Sequence, residues 1–235
     1  MTDTTKLNQY INEGRLIRHA WTASDEQGRE TACLLAAMSP EVAASRNSSA
    51  CPADIMPQWL AHLTPWMDDA GSIGAWPSMV RRYAAVAARW HVLSDETWRR
   101  LNYTARRIAL EDYLLLEGDA TPEVEGVLTL LRRAEAGDTV ESVKWKAAAW
   151  VAADAAADAA AAACAAAAAW VAADAAADAA AAACAAAAAW VAADAAADAA
   201  ADAAVAACAA ADRITAAILA SIEAACDEAE KGREP

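Results

Sequence analysis

Pairs of aspartates four residues apart recur three times in the second half of the chain, each pair following a tryptophan. The sequence WVAADAAADAAAAACAAAAA occupies 150–169, recurs unchanged at 170–189, and starts a third time at Trp190. Aspartates at i and i+4 of a helix place two carboxylates about 6 Å apart on one face. Such a face could imitate the phosphates of a nucleic acid, hold a hard cation, or keep an alanine helix in solution.

We predict that the aspartates and tryptophans of the repeats form a partner-binding surface. On a helix Asp154 and Asp158 lie about 40° and 80° from Trp150, so these residues share a side and the opposite side is alanine. Solvation and helix capping is the simpler alternative, and no metal or cofactor is expected. The predicted partner-binding residues are Trp150, Asp154, Asp158, Trp170, Asp174, Asp178, Trp190, Asp194, Asp198 and Asp202.

The negative charge of the chain is concentrated around these repeats. The 235 residues carry a formal net charge of −14. Residues 147–235 hold 13 acidic and 3 basic residues, and 48 of the 66 residues at 147–212 are alanine. This charge disfavours direct binding to nucleic acid or to anionic lipid. It favours a basic protein partner, toward which electrostatic complementarity would steer the surface.

The 20-residue period does not match a whole number of helical turns. Twenty residues advance a helix by about 2000°, or five turns and about 200°, so successive tryptophans would fall on nearly opposite faces of one straight helix. Repeats of this length are more typical of stacked units. We therefore expect 150–212 to form an array of short helices packed through alanine, with long paired helices as the alternative.

The preceding residues predict short helices separated by proline, glycine and serine. Leu7, Tyr10 and Trp21 recur at helical spacing, and a second helix is expected from Asp25 to Met38. Because no strand pattern is evident, the predicted fold class is all-α. Further helix starts are expected at Ser39-Pro40, Pro57, Ser78, Ser94, Thr121-Pro122 and Asp138. Asp138 and Glu141 together resemble a capping box.

Tryptophan replaces phenylalanine, which is absent from the chain. We expect the first six tryptophans in the core of a helical bundle, whereas the exposure of those in the repeats stays open. These six are Trp21, Trp59, Trp66, Trp76, Trp90 and Trp98.

Seven arginines and only two acidic residues lie between Arg81 and Leu110. A nucleic-acid groove is one interpretation of this basic stretch, but no aromatic or glycine pattern supports it. We favour docking of the acidic repeats on the arginines, or solvated helix faces.

The sequence has no signature of an enzyme. GxGxxG, P-loop, HExxH and GxSxG motifs are absent, and no catalytic residue is predicted. His62 with Asp68 and Asp69 comes nearest to an acid–base group. An enzyme or a small-molecule binder built on the N-terminal helices around His62 and His91 is the less favoured alternative.

Targeting and cysteine signals predict a cytoplasmic protein. The first residues lack the basic and apolar regions of a signal peptide, and each repeat carries aspartates that cost roughly 3 kcal/mol apiece near a bilayer centre. We therefore expect no membrane partner. The six cysteines form no CxxC pair, so we expect them reduced and packed.

We predict two domains, a tryptophan-rich helical domain at 1–93 and a helical domain at 94–235 that contains the repeats at 150–212. Between Trp98 and Trp150 the chain has arginine-rich helices, then GDATPEVEGV and LTLLRRAEAGDTVESV, and leads into the alanine tract. Over 94–212 this layout resembles the alanine-rich immunity proteins of bacterial toxin systems and their phage-borne relatives. The resemblance implies a helical, non-catalytic protein that binds and blocks another protein.

Charge and resemblance together predict a non-enzymatic acidic inhibitor. Its target would be a toxin or an antiphage defence effector, such as a restriction or CRISPR-type complex. The alternative from another class is a structural protein whose alanine faces associate into a homo-oligomer.

Overall fold

The computed structural model describes residues 4–117, 122–141, 143–148 and 200–232. Helices make up most of these residues, which confirms a mostly helical fold. The chain divides into two compact units: unit 1 is Met1–Trp98 with Ala207–Pro235, and unit 2 is Arg99–Ala206. Residues 150–199, which carry most of the predicted repeat array, lie outside the described residues.

Unit 1 is built from helices around one small hairpin. Its elements are α1 (Thr5–Glu13), β1 (Thr22–Ser24), β2 (Glu30–Ala32), α2 (Leu34–Met38), α3 (Pro40–Ser45), α4 (Gln58–Asp69), α5 (Trp76–Ala87), the 3-10 turns Ser48–Ala50 and Trp90–Val92, the start of α6 (Asp95–Glu117), and α8 (Ala200–Lys231) from Ala207 on.

The hairpin shows that the predicted helix from Asp25 to Met38 is wrong. The Asp25 carboxylate accepts hydrogen bonds from the backbone N–H of Gln27 at 3.0 Å and of Arg29 at 2.8 Å. Gly28 follows in the left-handed region with φ 74°. An Asx turn of this kind satisfies the backbone locally and reverses the chain. The antiparallel register pairs Thr22 with Ala32, Ala23 with Thr31 and Ser24 with Glu30.

Two predicted helix starts are confirmed by their capping bonds. The Ser39 hydroxyl accepts from Val42 N at 3.2 Å at the start of α3, where Pro40 occupies the first helical position. The Ser94 hydroxyl accepts from Thr97 N at 3.1 Å at the start of α6. Both serines satisfy backbone donors that a helix start leaves without intrahelical partners.

The core of unit 1 contains a chain of aromatic rings. Tyr83 meets Trp90 with 5.7 Å between ring centroids, Trp90 meets Trp98 at 5.9 Å, and Trp98 meets Trp59 at 6.2 Å. All three contacts are edge-on, the arrangement that ring quadrupoles favour. The core position expected for tryptophan is confirmed for Trp90, which is buried, and is wrong for Trp66, which is 38% exposed.

Helix α8 brings the C-terminal part of the chain into unit 1. Ile214, Ile218 and Ile222 lie four residues apart and are buried, as is Cys226 one turn later. Residues spaced by four form one stripe along a helix. This stripe is the apolar face through which α8 joins the unit.

Unit 2, as far as described, comprises α6 from Arg99, α7 (Pro122–Glu135), a helical segment at 143–148 and the start of α8 at 200–206. Helix α7 ends at Glu135. The turn that follows contains Gly137, which has φ 94°, and in it Asp138 N donates to Arg133 O at 2.9 Å. The capping box predicted at Asp138 and Glu141 is wrong, since 138–141 are not helical. The Asp138 carboxylate instead accepts from Arg133 Nε at 3.0 Å.

Within the described ranges, none of the helices has an apolar stretch long enough to cross a membrane.

Candidate functional site

The predicted partner-binding surface falls almost entirely on residues that the structure does not describe. Trp150, Trp170, Trp190 and the six aspartates between 154 and 198 lie outside the described residues. Asp202 lies in α8, in a part whose side chains are also outside them. The structure does describe segments of the chain on both sides of residues 149–199, and each is described below within its own unit.

On the N-terminal side the flanking residue is Trp145, five residues before the first repeat. Its ring lies parallel to that of Tyr103 of α6, with an interplanar angle of 1° and 5.9 Å between centroids. Trp145 is buried. We call this pair the Trp145 anchor; stacked aromatic pairs contribute about 0.5–1.5 kcal/mol beyond their burial.

On the C-terminal side the part of α8 from Ala207 on, here called the α8 anchor, is held in unit 1. In addition to its buried isoleucines, this part of α8 has carboxylates that form ion pairs with α5 and with the turn that follows α5. Arg82 of α5 donates to the Glu223 carboxylate at 2.9 Å and to Ala216 O at 3.2 Å. Arg89 pairs with both Asp227 and Glu230 of α8.

The pairing of Arg89 perturbs the titration of its partner. Hydrogen bonds from the Arg89 guanidinium lower the pKa of Glu230 below its usual range, and the carboxylates of Glu230 and Asp227 raise the pKa of Arg89. These groups lie at the surface, so solvent screens their attraction. They orient α8 more than they stabilise it.

Arginines of unit 2 are also committed to carboxylates of their own unit. Arg107 donates to Glu135 at 2.6 Å and to Glu111 at 2.6 Å, and Arg132 pairs with Glu111 and Glu125. Arg82, Arg89 and Arg107, three of the seven arginines of the basic stretch singled out in the sequence, thus pair with carboxylates of their own units. Docking of the repeats on these arginines stays a prediction.

The α8 anchor contacts the connection between α4 and α5 through Asp212, which lies in its second turn. Its Oδ1 accepts from Ser72 N at 3.1 Å. A Cβ atom built on Gly71 would overlap with the same oxygen, so glycine leaves the space in which the carboxylate reaches Ser72. Neither residue was singled out in the sequence, because the contact joins positions 140 residues apart.

A cavity of about 170 Å³ lies beside Asp212, between the α4–α5 connection and α8. Met67, Met79 and Leu219 contribute apolar surface to it, and Thr215 contributes a hydroxyl. A second, more open cleft lies beside the hairpin, between β1 and α3. Neither of these two spaces is lined by His62 or His91.

The acid–base group predicted around His62 and Asp68 is divided between two places. Asp68 is buried, and its two carboxylate oxygens accept from Leu34 N at 2.9 Å and from Trp76 Nε1 at 2.7 Å. Burial raises the pKa of this carboxyl above its ordinary value. Asp68 thus supplies a hydrogen-bond acceptor at the start of α2.

His62 instead lies at the surface beside Ser48, which the sequence analysis missed. The Ser48 hydroxyl is 2.8 Å from His62 Nδ1, and Gln58 Nε2 is 3.2 Å from His62 Nε2. Gln58 Nε2 also donates to Ser48 O at 3.2 Å, which identifies that atom as the amide nitrogen.

Which ring nitrogen of His62 donates depends on its tautomer. A Ser–His hydrolase orients its histidine with a third group, usually a carboxylate. Here the hydrogen-bond partners of the His62 ring are Ser48 and the neutral Gln58 amide.

Within the described ranges, no group of three or more His, Cys, Asp or Glu residues could hold a metal ion. The four cysteines described, Cys33, Cys51, Cys208 and Cys226, are free thiols. Burial raises the pKa of the Cys33 and Cys51 thiols to about 11, so they are poor nucleophiles at neutral pH.

Comparison with known proteins adds no relative: no family model, no curated protein and no solved structure matches this chain.

Proposed function

We propose that this protein is a non-enzymatic acidic inhibitor that binds and blocks a basic protein through its tryptophan–aspartate repeats. The observation that carries the proposal is the anchoring of the chain on both sides of the repeats. Trp145 is buried against Tyr103 before them, and the isoleucine stripe of α8 is buried after them. In the sequence the repeats lie between these two packed segments, and we infer that they are the element presented to a partner.

The distribution of charge supports the same proposal. No lysine or arginine occurs at 147–212, where the aspartates recur. In the described part of the chain, Arg82, Arg89, Arg107 and Arg132 already pair with carboxylates of their own units. These four arginines are therefore already paired, and a basic partner would supply opposite charge to the repeat aspartates.

The proposed partner is a toxin or a defence effector that binds nucleic acid. Carboxylates at i and i+4 lie about 6 Å apart on a helix, which is near the spacing of phosphates along a strand. Steering by complementary charge would raise the association rate, and the effect would fall with ionic strength. We place the encounter in the cytoplasm, where the free thiols of the described cysteines are stable.

Capture from a bacterial lysate tests the role of the repeats. The bait variants are a triple change of Asp154, Asp174 and Asp194 to Asn, and a control that changes Glu26 to Gln, Asp54 to Asn and Glu228 to Gln. Both variants remove three negative charges, but the control carboxylates lie outside the repeats. We expect wild type and control to retain a basic protein that the repeat variant loses, and duplex DNA to compete for it.

Equal recovery of the same protein by all three baits would refute an acidic binding surface on the repeats. Light scattering of the purified protein tests the competing structural function in parallel. A mass that rises with concentration, combined with equal recovery, would favour self-association through alanine faces.

A further inference from the structure

The cavity beside Asp212 has a hydroxyl in its wall. Thr215 of α8 is 3% exposed and lines the cavity. A threonine hydroxyl has acceptor lone pairs, so it can accept a hydrogen bond from a ligand bound beside it.

The cavity wall also carries a carboxylate that no described cation neutralises. The hydrogen bond of Asp212 in the described part of the chain comes from a neutral donor, Ser72 N. Arg82 lines the same cavity, but its guanidinium is already paired with Glu223 and bonded to Ala216 O. The uncompensated charge that faces the cavity is therefore negative.

The remaining wall is apolar and of ligand size. Met67, Met79 and Leu219 line it together with the ring of Trp76. The volume is about 170 Å³, and an apolar cavity of about 150 Å³ accepts a molecule as large as benzene. An aromatic ring near a carboxylate also favours a cation through its π face.

We propose that this cavity is a binding site for a small organic ammonium ion with an apolar body about the size of one ring. The ammonium group donates to the Asp212 carboxylate and to the Thr215 hydroxyl oxygen. The apolar body lies against Met67, Met79 and Leu219. The site lies within unit 1 and does not depend on the proposed function of the repeats.

Methyl signals of methionine make the site directly observable. The chain has five methionines; Met67 and Met79 line the cavity, whereas Met38 and Met56 are buried elsewhere in unit 1. We would titrate the full-length protein, labelled with [methyl-13C]methionine, with benzylamine at neutral pH. The Met67 and Met79 signals are expected to shift with saturation, while those of Met38 and Met56 stay in place.

Two probes and two variants test the assigned chemistry. Benzyl alcohol has the same ring without the charge, and Asp212→Asn keeps an acceptor for Ser72 N while removing the carboxylate. A charged hydrogen bond is worth a factor of about 10 or more in affinity, so each change is expected to weaken binding at least about tenfold. Thr215→Val, which removes only the hydroxyl, is expected to weaken it less.

Occlusion of the cavity gives a test that does not alter charge. Ala216→Leu places a larger side chain at the cavity wall, and Ala220→Leu is the matched control one turn later on the exposed side of α8. We expect binding to be lost in the first variant and kept in the second. Unchanged Met38 and Met56 signals would verify that each variant is folded.

Three results would overturn the proposal: no shift of the Met67 and Met79 signals, equal affinity for benzylamine and benzyl alcohol, or equal affinity of wild type and Asp212→Asn.

Discussion

The chain is anchored differently on the two sides of the repeats. The Trp145 anchor is one aromatic ring stacked on Tyr103 within unit 2. The α8 anchor is a helical face with a stripe of buried isoleucines, bordered by ion pairs and by the Asp212–Ser72 bond. The first depends on a single side chain, and the second distributes its contacts over several helical turns.

This difference predicts that the α8 anchor requires more free energy to detach than the Trp145 anchor. Burial of one Ile side chain contributes about 1.5–3 kcal/mol, so three isoleucines of the α8 stripe contribute roughly 5–9 kcal/mol. That sum is comparable with the whole stability of a typical domain. The Trp145 anchor has no such redundancy, and one substitution should release it.

Removal of the α8 anchor is expected to have the largest effect. A chain that stops after Ala206 lacks the isoleucine stripe, and unit 1 should lose its cooperative thermal transition in calorimetry and near-UV circular dichroism. A chain that ends after Gly232 keeps the stripe and serves as the control. An unchanged transition in the shorter chain would show that unit 1 does not depend on α8.

Trp145→Ala should release the other anchor. Truncation of a buried tryptophan costs about 3–5 kcal/mol, and we expect the loss to appear as faster hydrogen exchange in α7 and at the 143–148 segment while unit 1 is unaffected. Val143→Ala is the control, since Val143 is 63% exposed. If both variants exchange alike, the stack is not an anchor.

Gly71→Ala tests the contact at the start of the α8 anchor. The added methyl would overlap with the Asp212 carboxylate, so the carboxylate must leave Ser72 N. Because the carboxylate can move aside, we expect the loss to be that of one hydrogen bond, about 0.5–1.5 kcal/mol, measured by urea unfolding. Gly74→Ala is the matched control, because a Cβ there meets nothing within 4 Å. Equal midpoints for the two variants would contradict the assigned contact.

The stability of unit 2 is expected to depend on pH through Glu135. Hydrogen bonds from Arg107 lower the pKa of Glu135 in the folded state. The group therefore stabilises the fold above the ordinary carboxyl pKa near 4.5 and loses this contribution as the pH falls through the lowered pKa.

Since solvent screens this pair, we expect less than about 1 kcal/mol from it. Glu135→Gln should lessen the drop in stability below pH 5, measured by urea unfolding across pH. The exposed Glu228 provides the control substitution to Gln. A Glu135→Gln protein that loses stability with acid as wild type does would contradict this assignment.

Arg82→Gln should have the smallest effect on the α8 anchor. Its pair with Glu223 is half-exposed, and pairs of this kind are worth about 0.5 kcal/mol. The difference from wild type should vanish in 1 M salt, where the screening length is about 3 Å. Arg81→Gln, at a neighbouring exposed position, is the reference, and a deficit that persists in high salt would point to packing instead of charge.

Local signals in the sequence were sufficient to predict most helix starts. Ser39-Pro40 and Ser94 act within three residues of themselves, so their capping bonds could be inferred without tertiary structure. The hairpin at 22–32 was missed because helical periodicity outweighed the turn signal of Asp25 and Gly28. The exposure of Trp66 was missed because helical spacing alone does not determine which side of a helix is covered.

Contacts that join distant positions could not be predicted from one sequence. Asp212 reaches Ser72 across 140 residues, and no local pattern marks either of them. Ser48, His62 and Gln58 converge only because the Ser48–Ala50 turn lies beside α4. The predicted binding residues of the repeats rest on composition and period, and the structure describes only their flanks.

Completion of unit 1 from the two ends of the chain has a consequence for biosynthesis. Its first 98 residues leave the ribosome without the helix that covers them, and 108 residues separate Trp98 from Ala207. At about 5–20 residues per second, this interval lasts roughly 5 to 20 s. During this interval the residues of unit 1 that pack against the buried isoleucines of α8 are without that helix.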